Sequence, residues 1–238
     1  MAEGLIIIPA FNEAGSIGPV VAASRAKAPG FDILVVDDGS ADATAARAGA
    51  AGAVVARHPF NIGYGAALQT GYRWALKHGY PLAVQIDADG QHDPAEVPRL
   101  AAALKEDRAD AVVGSRFHPA SSYRMPPLRR IGSLWFGALV ATLTGLRLSD
   151  PTSGLQALST RALELYATGV FPVDYPDADM LVLLDRNGLK VTEAAVTMEE
   201  KPESPSMHSG IGTLYYVYKM TLAIVMNLIR KPLQESAE

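Results

Sequence analysis

Two aspartates one residue apart follow a short apolar run in the middle of the chain. Asp87 and Asp89 end the segment Val-Gln-Ile-Asp-Ala-Asp that begins at Val84. Where alternating side chains leave a strand, this spacing can direct two carboxylates at one divalent cation. A cation there needs an anion to hold, and the diphosphate of a nucleotide is the simplest candidate. The pattern therefore suggests a metal site that binds a nucleotide diphosphate.

The same region also has an ordinary structural interpretation. Asp93 stands directly before Pro94, and we predict that it caps a helix whose first residue is the proline. Aspartate is also frequent in turns, so an Asp-x-Asp pair at a strand end is not by itself specific for a metal. The rest of the chain has to decide between the two interpretations.

The composition is that of one α/β domain. The chain has 238 residues, of which 49% are hydrophobic, enough for one sizeable core. It contains no cysteine, which excludes disulfides and thiolate metal ligands. The formal net charge of −4 argues against a nucleic-acid partner. The apolar run near the N-terminus is too short for a signal peptide or an anchor, so we expect a cytoplasmic location.

Runs rich in valine and isoleucine predict the sheet. Ala-rich helical stretches separate the earlier runs, an alternation typical of a mostly parallel sheet with helices on both faces. Ligands of such sheets bind beyond the carboxyl ends of the strands. We therefore expect the polar residues after the first, second and fourth runs to share one edge. The predicted strands are residues 5–9, 32–37, 53–56, 82–87 and 110–114.

The second half of the chain is locally basic. Between Ala111 and Ser149 there is no Asp or Glu, so this stretch should attract anions. Beyond it we predict a helix near residues 178–186, a strand near 191–198 and a last apolar segment at 211–229. The arginines of the basic stretch are Arg116, Arg124, Arg129, Arg130 and Arg147.

Six short motifs occur in order along nearly the whole chain. They are Pro9-Ala10-Phe11-Asn12-Glu13, Val35-Val36-Asp37-Asp38-Gly39-Ser40, Asn61-Ile62-Gly63-Tyr64-Gly65-Ala66-Ala67, Asp87-Ala88-Asp89-Gly90-Gln91-His92-Asp93-Pro94, Gly114-Ser115-Arg116 and Asp150-Pro151-Thr152-Ser153-Gly154. Each is a modest signal alone, but six in this order are highly specific. They resemble the inverting glycosyltransferases of family 2, which have the GT-A fold. Within that family the chain looks most like the dolichyl- and polyprenyl-phosphate sugar synthases.

The resemblance implies a donor site on the first half of the chain. Carboxylates such as Asp37 and Asp38 would accept hydrogen bonds from the base or ribose of the nucleoside. Asp38-Gly39-Ser40 could instead be only a turn, and Gly65 could serve helix packing instead of close approach of a ligand. The residues implied in nucleoside or diphosphate binding are Pro9, Ala10, Glu13, Asp37, Asp38, Gly65 and Asp87. The implied Mg²⁺ or Mn²⁺ ligands are Asp87, Asp89 and Gln91.

The acceptor half follows a different logic. A lipid phosphate is already ionised near neutral pH, so it needs cations more than it needs a strong base. Arg116 and either Arg129 or Arg130 suit that role, although a solvated basic face is the alternative. Asp150 matches an aspartate near the family's acceptor site, where it would orient a group or act as a base; alternatively it caps a turn before Pro151. The implied catalytic residues are Asp89, Arg116, Arg130 and Asp150.

Two further segments leave alternatives open. Asp177 and Asp179 resemble the acidic pair that supplies a base in many family members, but both could simply begin a helix. In the loop after the last strand, Lys201 and Ser204 replace the Arg and Gly common in related lipid-phosphate enzymes. Lys201 can neutralise a diphosphate but lacks the bidentate fork of arginine. His208, in the Ser-Met-His end that still matches, could touch the diphosphate or be an exposed histidine without a role.

Residues 211–229 are nearly long enough to span a bilayer, but Lys219 lies in the middle. On a helix, Lys219 and Asn227 share one side while apolar residues crowd the other, which favours a helix lying in the membrane interface. Residues 131–148 offer a second such surface. Both could instead be core or dimer helices. We predict two units, a catalytic domain at 1–209 and an interfacial helix and tail at 210–238.

The sequence therefore predicts a metal-dependent enzyme that moves a hexose from GDP-mannose or a UDP-hexose to polyprenyl phosphate. It would work at the inner face of the cytoplasmic membrane, with a separate integral membrane protein and a homo-oligomer as further possible partners. One alternative is a family 2 enzyme with a soluble or polysaccharide acceptor, which would need a true base such as Asp179. The other is a noncatalytic nucleotide-binding membrane partner.

Overall fold

A computed structural model describes residues 2–117, 137–169, 171–173, 176–198 and 211–229; for 211–218 and 220 it describes the backbone alone. Several predicted residues lie outside these ranges. They are Arg124, Arg129, Arg130, Lys201, Ser204 and His208.

Seven strands form one sheet in the order β3-β2-β1-β4-β6-β5-β7. The strands are β1 (Gly4–Ala10), β2 (Phe31–Asp37), β3 (Val54–Arg57), β4 (Leu82–Gln85), β5 (Ala111–Ser115), β6 (Gln156–Ser159) and β7 (Val191–Ala195). All pairs are parallel except those of β6, which runs antiparallel to both β4 and β5. The prediction of a mostly parallel sheet is confirmed.

Helices cover both faces of this sheet. They are α1 (Ile17–Lys27), α2 (Thr44–Ala50), α3 (Tyr64–Lys77), α4 (Glu96–Glu106), α5 (residues 137–144), α6 (Thr160–Tyr166), α7 (Ala178–Arg186) and α8 (Ile211–Ile229). Alternate residues of β1 enter different cores: Ile7 packs with the α3, α6 and α7 side, and Ile8 with the α1 and α4 side. A strand buried on both faces has to be apolar throughout, which explains the continuous apolar runs.

The order of the strands brings three predicted loops together. β1 lies between β2 and β4, with Ala10 paired to Asp37 and Ile7 to Gln85. Because these strands are parallel, their carboxyl ends open on one edge, and the loops after Ala10, Asp37 and Gln85 share it. The predicted convergence of the polar strand ends is confirmed.

Some boundaries differ from the predictions. β4 ends at Gln85, so Asp87 begins the loop instead of ending the strand. β6 was not predicted, because four residues carry too little pattern to separate a strand from a buried turn. β7 ends at Ala195, and Met198 forms only an isolated bridge with His92.

Asp93 is not the N-cap of the following helix. α4 begins at Glu96, and Asp93 accepts a hydrogen bond from the Ala95 N–H at 2.9 Å while it pairs with Lys27 at 2.7 Å. The side chain therefore closes the turn that leads into the helix, two residues earlier than a cap would.

The predicted last helix is present as α8, which packs on α7. Asn227 is buried and donates a hydrogen bond to the backbone carbonyl of Asp179 at 3.0 Å. Asn227 and the buried Ile224 thus face the protein, and among the described side chains of α8 an apolar stripe is exposed. That stripe contains Leu222, Val225, Met226 and Ile229. Among the described residues, no helix is long and apolar enough to cross a membrane.

Candidate active site

Asp87 lies in the loop after β4, on the edge that the three loops share. Its Oδ1 accepts a hydrogen bond from the Tyr64 hydroxyl at 2.9 Å, and its backbone N–H donates to Nδ1 of His92 at 3.0 Å. Its Oδ2 faces Nε2 of His92 at 3.6 Å, too far for a hydrogen bond. The side chain is 35% exposed. One carboxylate oxygen is therefore anchored and the other is open toward the edge.

Asp89 and Gln91 are joined by a tight turn just beyond Asp87. Oδ1 of Asp89 accepts the Gln91 N–H at 2.8 Å, and Gly90 between them has a φ of +77°. Glycine adopts this left-handed conformation without a steric penalty, which explains its place in the turn. The turn holds Asp89 and Gln91 directly beside Asp87.

The surroundings of Asp87 fit a divalent cation. A Cβ built on Gly154 would lie 3.3 Å from Oδ2 of Asp87 and 3.4 Å from the Tyr64 hydroxyl, so the glycine leaves the open oxygen uncrowded. No group of three or more His, Cys, Asp or Glu side chains suited to a metal occurs among the described residues. Two carboxylates and the Gln91 amide would therefore depend on substrate oxygens to complete the coordination, as Mg²⁺ commonly does.

The loops after β1 and β2 are joined by hydrogen bonds. The Asn12 N–H donates to the Ser40 hydroxyl at 2.9 Å, and the Asn12 side chain accepts the Ala41 N–H at 2.9 Å. Asp37 is fully buried, with Oδ1 accepting the Ser40 N–H at 3.1 Å. Its Oδ2 lies 3.0 Å from Nε of Arg57 but makes no aligned hydrogen bond, so this buried oxygen retains acceptor capacity. Asp37 thus has an oxygen that no hydrogen bond among the described residues satisfies.

The Asp38 carboxylate is already hydrogen-bonded within the protein. Its carboxylate accepts the N–H groups of Ile62 and Gly63 at 3.0 and 2.8 Å and contacts Nδ1 of His58 at 2.6 Å. These contacts fix the loop that leads into α3 and so place Tyr64. The predicted contact of Asp38 with a nucleoside stays a prediction, and the geometry shows a positioning role.

The other predicted donor-site residues border the same edge. The Glu13 N–H donates to the Thr44 hydroxyl at 2.8 Å, which ties the first loop to the start of α2. Pro9 and Ala10 are buried at the end of β1, and Gly65 is buried in the first turn of α3. Their backbones lie beside the loops of Asn12 and Asp38.

The structure joins Arg116 and Asp150, which the sequence presented as separate candidates. Nε and Nη2 of Arg116 donate to the two carboxylate oxygens of Asp150 at 2.6 and 2.8 Å, and the Arg116 N–H adds a bond of 3.1 Å. Asp150 is fully buried. Glu193 on β7 accepts the N–H groups of Ser149 and Asp150, each at 2.8 to 3.0 Å. The pair is therefore held in one geometry from both sides.

The start of α7 contributes a third acidic region. Asp179 is buried and accepts the Asp177 N–H at 2.9 Å; burial raises its pKa to about 6. The pKa of Tyr64 is raised well above its usual value, first by burial, then by Asp87, with a smaller contribution from Asp177.

Sequence reasoning missed four residues that shape this site: Tyr64, His92, Gly154 and Glu193. Three of them stand inside motifs that were recognised, two to five residues from a carboxylate or at the start of a helix. Their position in the motif was the available signal, but nothing in it showed that they contact Asp87. Glu193 had no signal, because its role depends on the pairing of β5 with β7.

Comparison with known proteins agrees with this geometry. The sequence model of the family described as "Glycosyl transferase family 2" matches residues 5–164. The undecaprenyl-phosphate mannosyltransferase of Micrococcus luteus is 34% identical over 215 residues, 87% of this chain and 87% of that protein. The UDP-N-acetylglucosamine–dolichyl-phosphate N-acetylglucosaminyltransferase of Methanococcus voltae is 30% identical over 218 residues, 82% of this chain and 86% of that protein.

A solved structure supports the fold independently. The glucosyl-3-phosphoglycerate synthase of Mycobacterium tuberculosis, crystallised with Mn²⁺ and UDP-glucose, superposes with a TM-score of 0.68 at 23% identity. The match covers 91% of this chain and 77% of that one. The sheet with its acidic edge is thus the GT-A fold, and the family match extends over most of the chain. The protein is a glycosyltransferase that belongs to glycosyl transferase family 2.

Proposed function

We propose that this enzyme transfers a hexose from a nucleotide diphosphate sugar to polyprenyl phosphate at a membrane surface. The observation that carries the proposal is the edge at which Asp87 and Asp89 lie beside the loops after β1 and β2. The names of the bacterial and archaeal relatives, both of which act on polyprenyl-type phosphates, support the acceptor class. Those names specify different sugars, so they leave the donor open between GDP-mannose and a UDP-hexose.

The donor would lie across the carboxyl ends of β1, β2 and β4. The buried Oδ2 of Asp37 has acceptor capacity for a base N–H or a ribose hydroxyl. Pro9, Ala10, Glu13 and Gly65 would border the nucleoside. Asp87, Asp89 and Gln91 would hold Mg²⁺ or Mn²⁺, which when bound neutralises the diphosphate and stabilises its departure. The mycobacterial synthase was crystallised with Mn²⁺, which supports the proposal that a divalent cation is used.

The acceptor requires charge neutralisation more than proton removal. An ionised phosphate oxygen of the lipid would attack the anomeric carbon, the bond from that carbon to the diphosphate oxygen would break, and the configuration would invert. No proton has to leave the attacking oxygen, so a strong base is unnecessary. Arg116 is held rigidly by Asp150 and would stabilise the two facing anions. Arg130 and Lys201 are proposed to assist from segments beyond the described residues.

The membrane surface supplies such an acceptor. The apolar stripe of α8 points away from the protein, as an interfacial helix requires. We therefore propose a peripheral enzyme at the inner face of the cytoplasmic membrane, with residues 210–238 as the interfacial unit. A separate integral membrane protein and a second copy of the chain remain proposed partners.

An assay of sugar transfer tests the proposal. Labelled UDP- and GDP-sugars are incubated with the enzyme, with undecaprenyl phosphate present or absent and with Mg²⁺ or Mn²⁺ present or chelated. We expect label in an organic-extractable product only when lipid and metal are both present, and the productive sugar identifies the donor. Label that enters a water-soluble glycan without lipid would instead support the soluble-acceptor enzyme. Its candidate base is Asp179, which is only 1% exposed.

A further inference from the structure

We propose that Tyr64 and His92 are positioning residues that fix the Asp87 carboxylate in the orientation in which it binds the cation. This inference rests on the proposed function, since it concerns the metal that Asp87 would hold. Metal-binding side chains are commonly oriented by hydrogen bonds from a second layer of residues. Three contacts to Asp87 form that layer here.

Tyr64 determines which oxygen of Asp87 is open. Its hydroxyl donates to Oδ1 at 2.9 Å, which leaves Oδ2 as the oxygen without a hydrogen bond among the described residues. Tyr64 is itself firmly placed: it is the first residue of α3, and Asp38 accepts the N–H groups of Ile62 and Gly63 just before it. The loop beside the nucleoside site is thereby connected to the Asp87 carboxylate.

His92 fixes Asp87 from the backbone side. Because Nδ1 accepts the Asp87 N–H at 3.0 Å, Nδ1 carries the lone pair and Nε2 carries the ring proton. That proton faces Oδ2 at 3.6 Å, where it attracts the carboxylate without a full hydrogen bond. His92 is buried, and its backbone pairs with Met198 in an isolated bridge. Burial restricts rotation of the ring, and the bridge restrains the backbone that carries it.

The open side of Asp87 is formed by Gly154. Gln85 donates to the Gly154 carbonyl at 2.8 Å and accepts a hydrogen bond from the Tyr72 hydroxyl, so the glycine backbone is held from the core. Among the described residues, Tyr64 contacts one oxygen of Asp87 and His92 faces the other at 3.6 Å, while no side chain stands at position 154. That open side is where a cation would bind.

Binding of Mn²⁺ tests the inference without relying on turnover. Free Mn²⁺ is measured by electron paramagnetic resonance during titration of the enzyme, with UDP or GDP present. Tyr64→Phe removes one oxygen and keeps the ring, and we expect the Mn²⁺ dissociation constant to rise by about 10- to 100-fold. His92→Leu should act similarly, while His92→Asn, whose side-chain oxygen can still accept the Asp87 N–H, should restore most of the affinity. At saturating Mn²⁺ we expect kcat of Tyr64→Phe close to that of the wild type.

Tyr80→Phe is a matched control. The Tyr80 hydroxyl also donates to an aspartate, Asp32, at 2.7 Å, but at the opposite edge of the sheet. We expect this variant to bind Mn²⁺ like the wild type. Circular dichroism and thermal unfolding identify any variant that fails to fold. If either Tyr64→Phe or His92→Leu does not fold, the Mn²⁺ affinity of the other one tests the inference. Unchanged Mn²⁺ affinity in folded Tyr64→Phe, with normal binding by the wild type, overturns the inference alone. A wild type that does not bind Mn²⁺ with either nucleotide overturns the metal-dependent function as well.

Discussion

Asp87 and Asp150 each begin one of the six motifs and lie at the same side of the sheet, yet their carboxylates have opposite surroundings. Asp150 is fully buried and receives three hydrogen bonds from Arg116. Asp87 is 35% exposed, and in the part of the chain that the structure describes only its Oδ1 accepts a hydrogen bond. A carboxylate whose acceptor positions are filled by the protein stabilises and positions, whereas one with an open oxygen can bind a ligand. The comparison supports the proposed binding role of Asp87 and favours a positioning role for Asp150.

Substitutions that remove the Asp87 or the Asp150 interactions should affect the stability of the fold differently. Removing one partner of a buried ion pair leaves an uncompensated charge, which destabilises the fold strongly. Removing a partly exposed carboxylate at a cation site changes the stability of the fold little, because water solvates the site when no cation is bound. We therefore expect substitutions near Asp87 to lower activity and substitutions at the Arg116–Asp150 pair to lower stability.

The largest expected effect is on activity at the open region. Asp89→Ala should reduce transfer at least about 1000-fold, because it removes a proposed ligand of the cation that would stabilise the departing diphosphate. Thermal unfolding should be nearly unchanged. Initial rates across a range of Mn²⁺ concentrations measure the first expectation. Asp107→Asn, an exposed acidic position after α4, serves as the control. If Asp89→Ala kept full activity and showed no response to metal, the region of Asp87 and Asp89 would not be the cation-binding region.

The next largest expected effect is a loss of stability at the Arg116–Asp150 pair. Arg116→Met leaves the Asp150 carboxylate buried without its cation, and we expect the free energy of unfolding to fall by about 3–5 kcal/mol. The double variant Arg116→Met/Asp150→Leu removes both charges and should recover part of that loss. Urea denaturation measures both. If Arg116→Met unfolds like the wild type, Asp150 is not held by its arginine in the way the comparison requires.

Asp179 extends the comparison because it is buried and, within the described ranges, forms no ion pair with a Lys or Arg side chain. Burial raises its pKa from 3.8 to about 6, so between these values the folded protein keeps a proton that the unfolded chain has released. The native state then binds more protons than the unfolded state, and stability falls as pH rises from about 4 to about 6, by on the order of 3 kcal/mol. Above that range the contribution is level.

Asp179→Asn tests this pH dependence. Asparagine cannot ionise but keeps an oxygen for the Asp177 N–H, so the variant should lack this loss of stability and exceed the wild type at pH 7.5. Urea denaturation at pH 4.5 and pH 7.5 gives the difference between the two proteins at each pH. We expect transfer to polyprenyl phosphate to survive, since no base is needed. Loss of transfer in a stable variant would favour the soluble-acceptor enzyme.

The fold was largely predictable because its signals are local. Continuous apolar runs predict strands buried on both faces, and the parallel order places Asp37 and Asp87 at one edge. The pairing of Arg116 with Asp150 was not predictable, because it joins residues 34 apart through the position of β6. The same holds for Tyr64 and Asp87, which are 23 residues apart and meet only once α3 packs beside β4.

The smallest expected effect is on the response to Mn²⁺ when Gly154, beside the Asp87 carboxylate, is substituted. Gly154→Ala would place a Cβ 3.3 Å from Oδ2 of Asp87, closer than carbon and oxygen ordinarily pack, so the carboxylate has to shift by a few tenths of an ångström. We expect a several-fold rise in the Mn²⁺ concentration for half-maximal activity, with little change in thermal unfolding, because the added methyl meets an oxygen that can move. Gly79→Ala is unsuitable as a control since its φ is +71°, whereas Gly18→Ala meets open space in α1. A Gly154→Ala enzyme with wild-type metal response would show that the cation approaches Asp87 from another direction, while leaving the contrast with Asp150 intact.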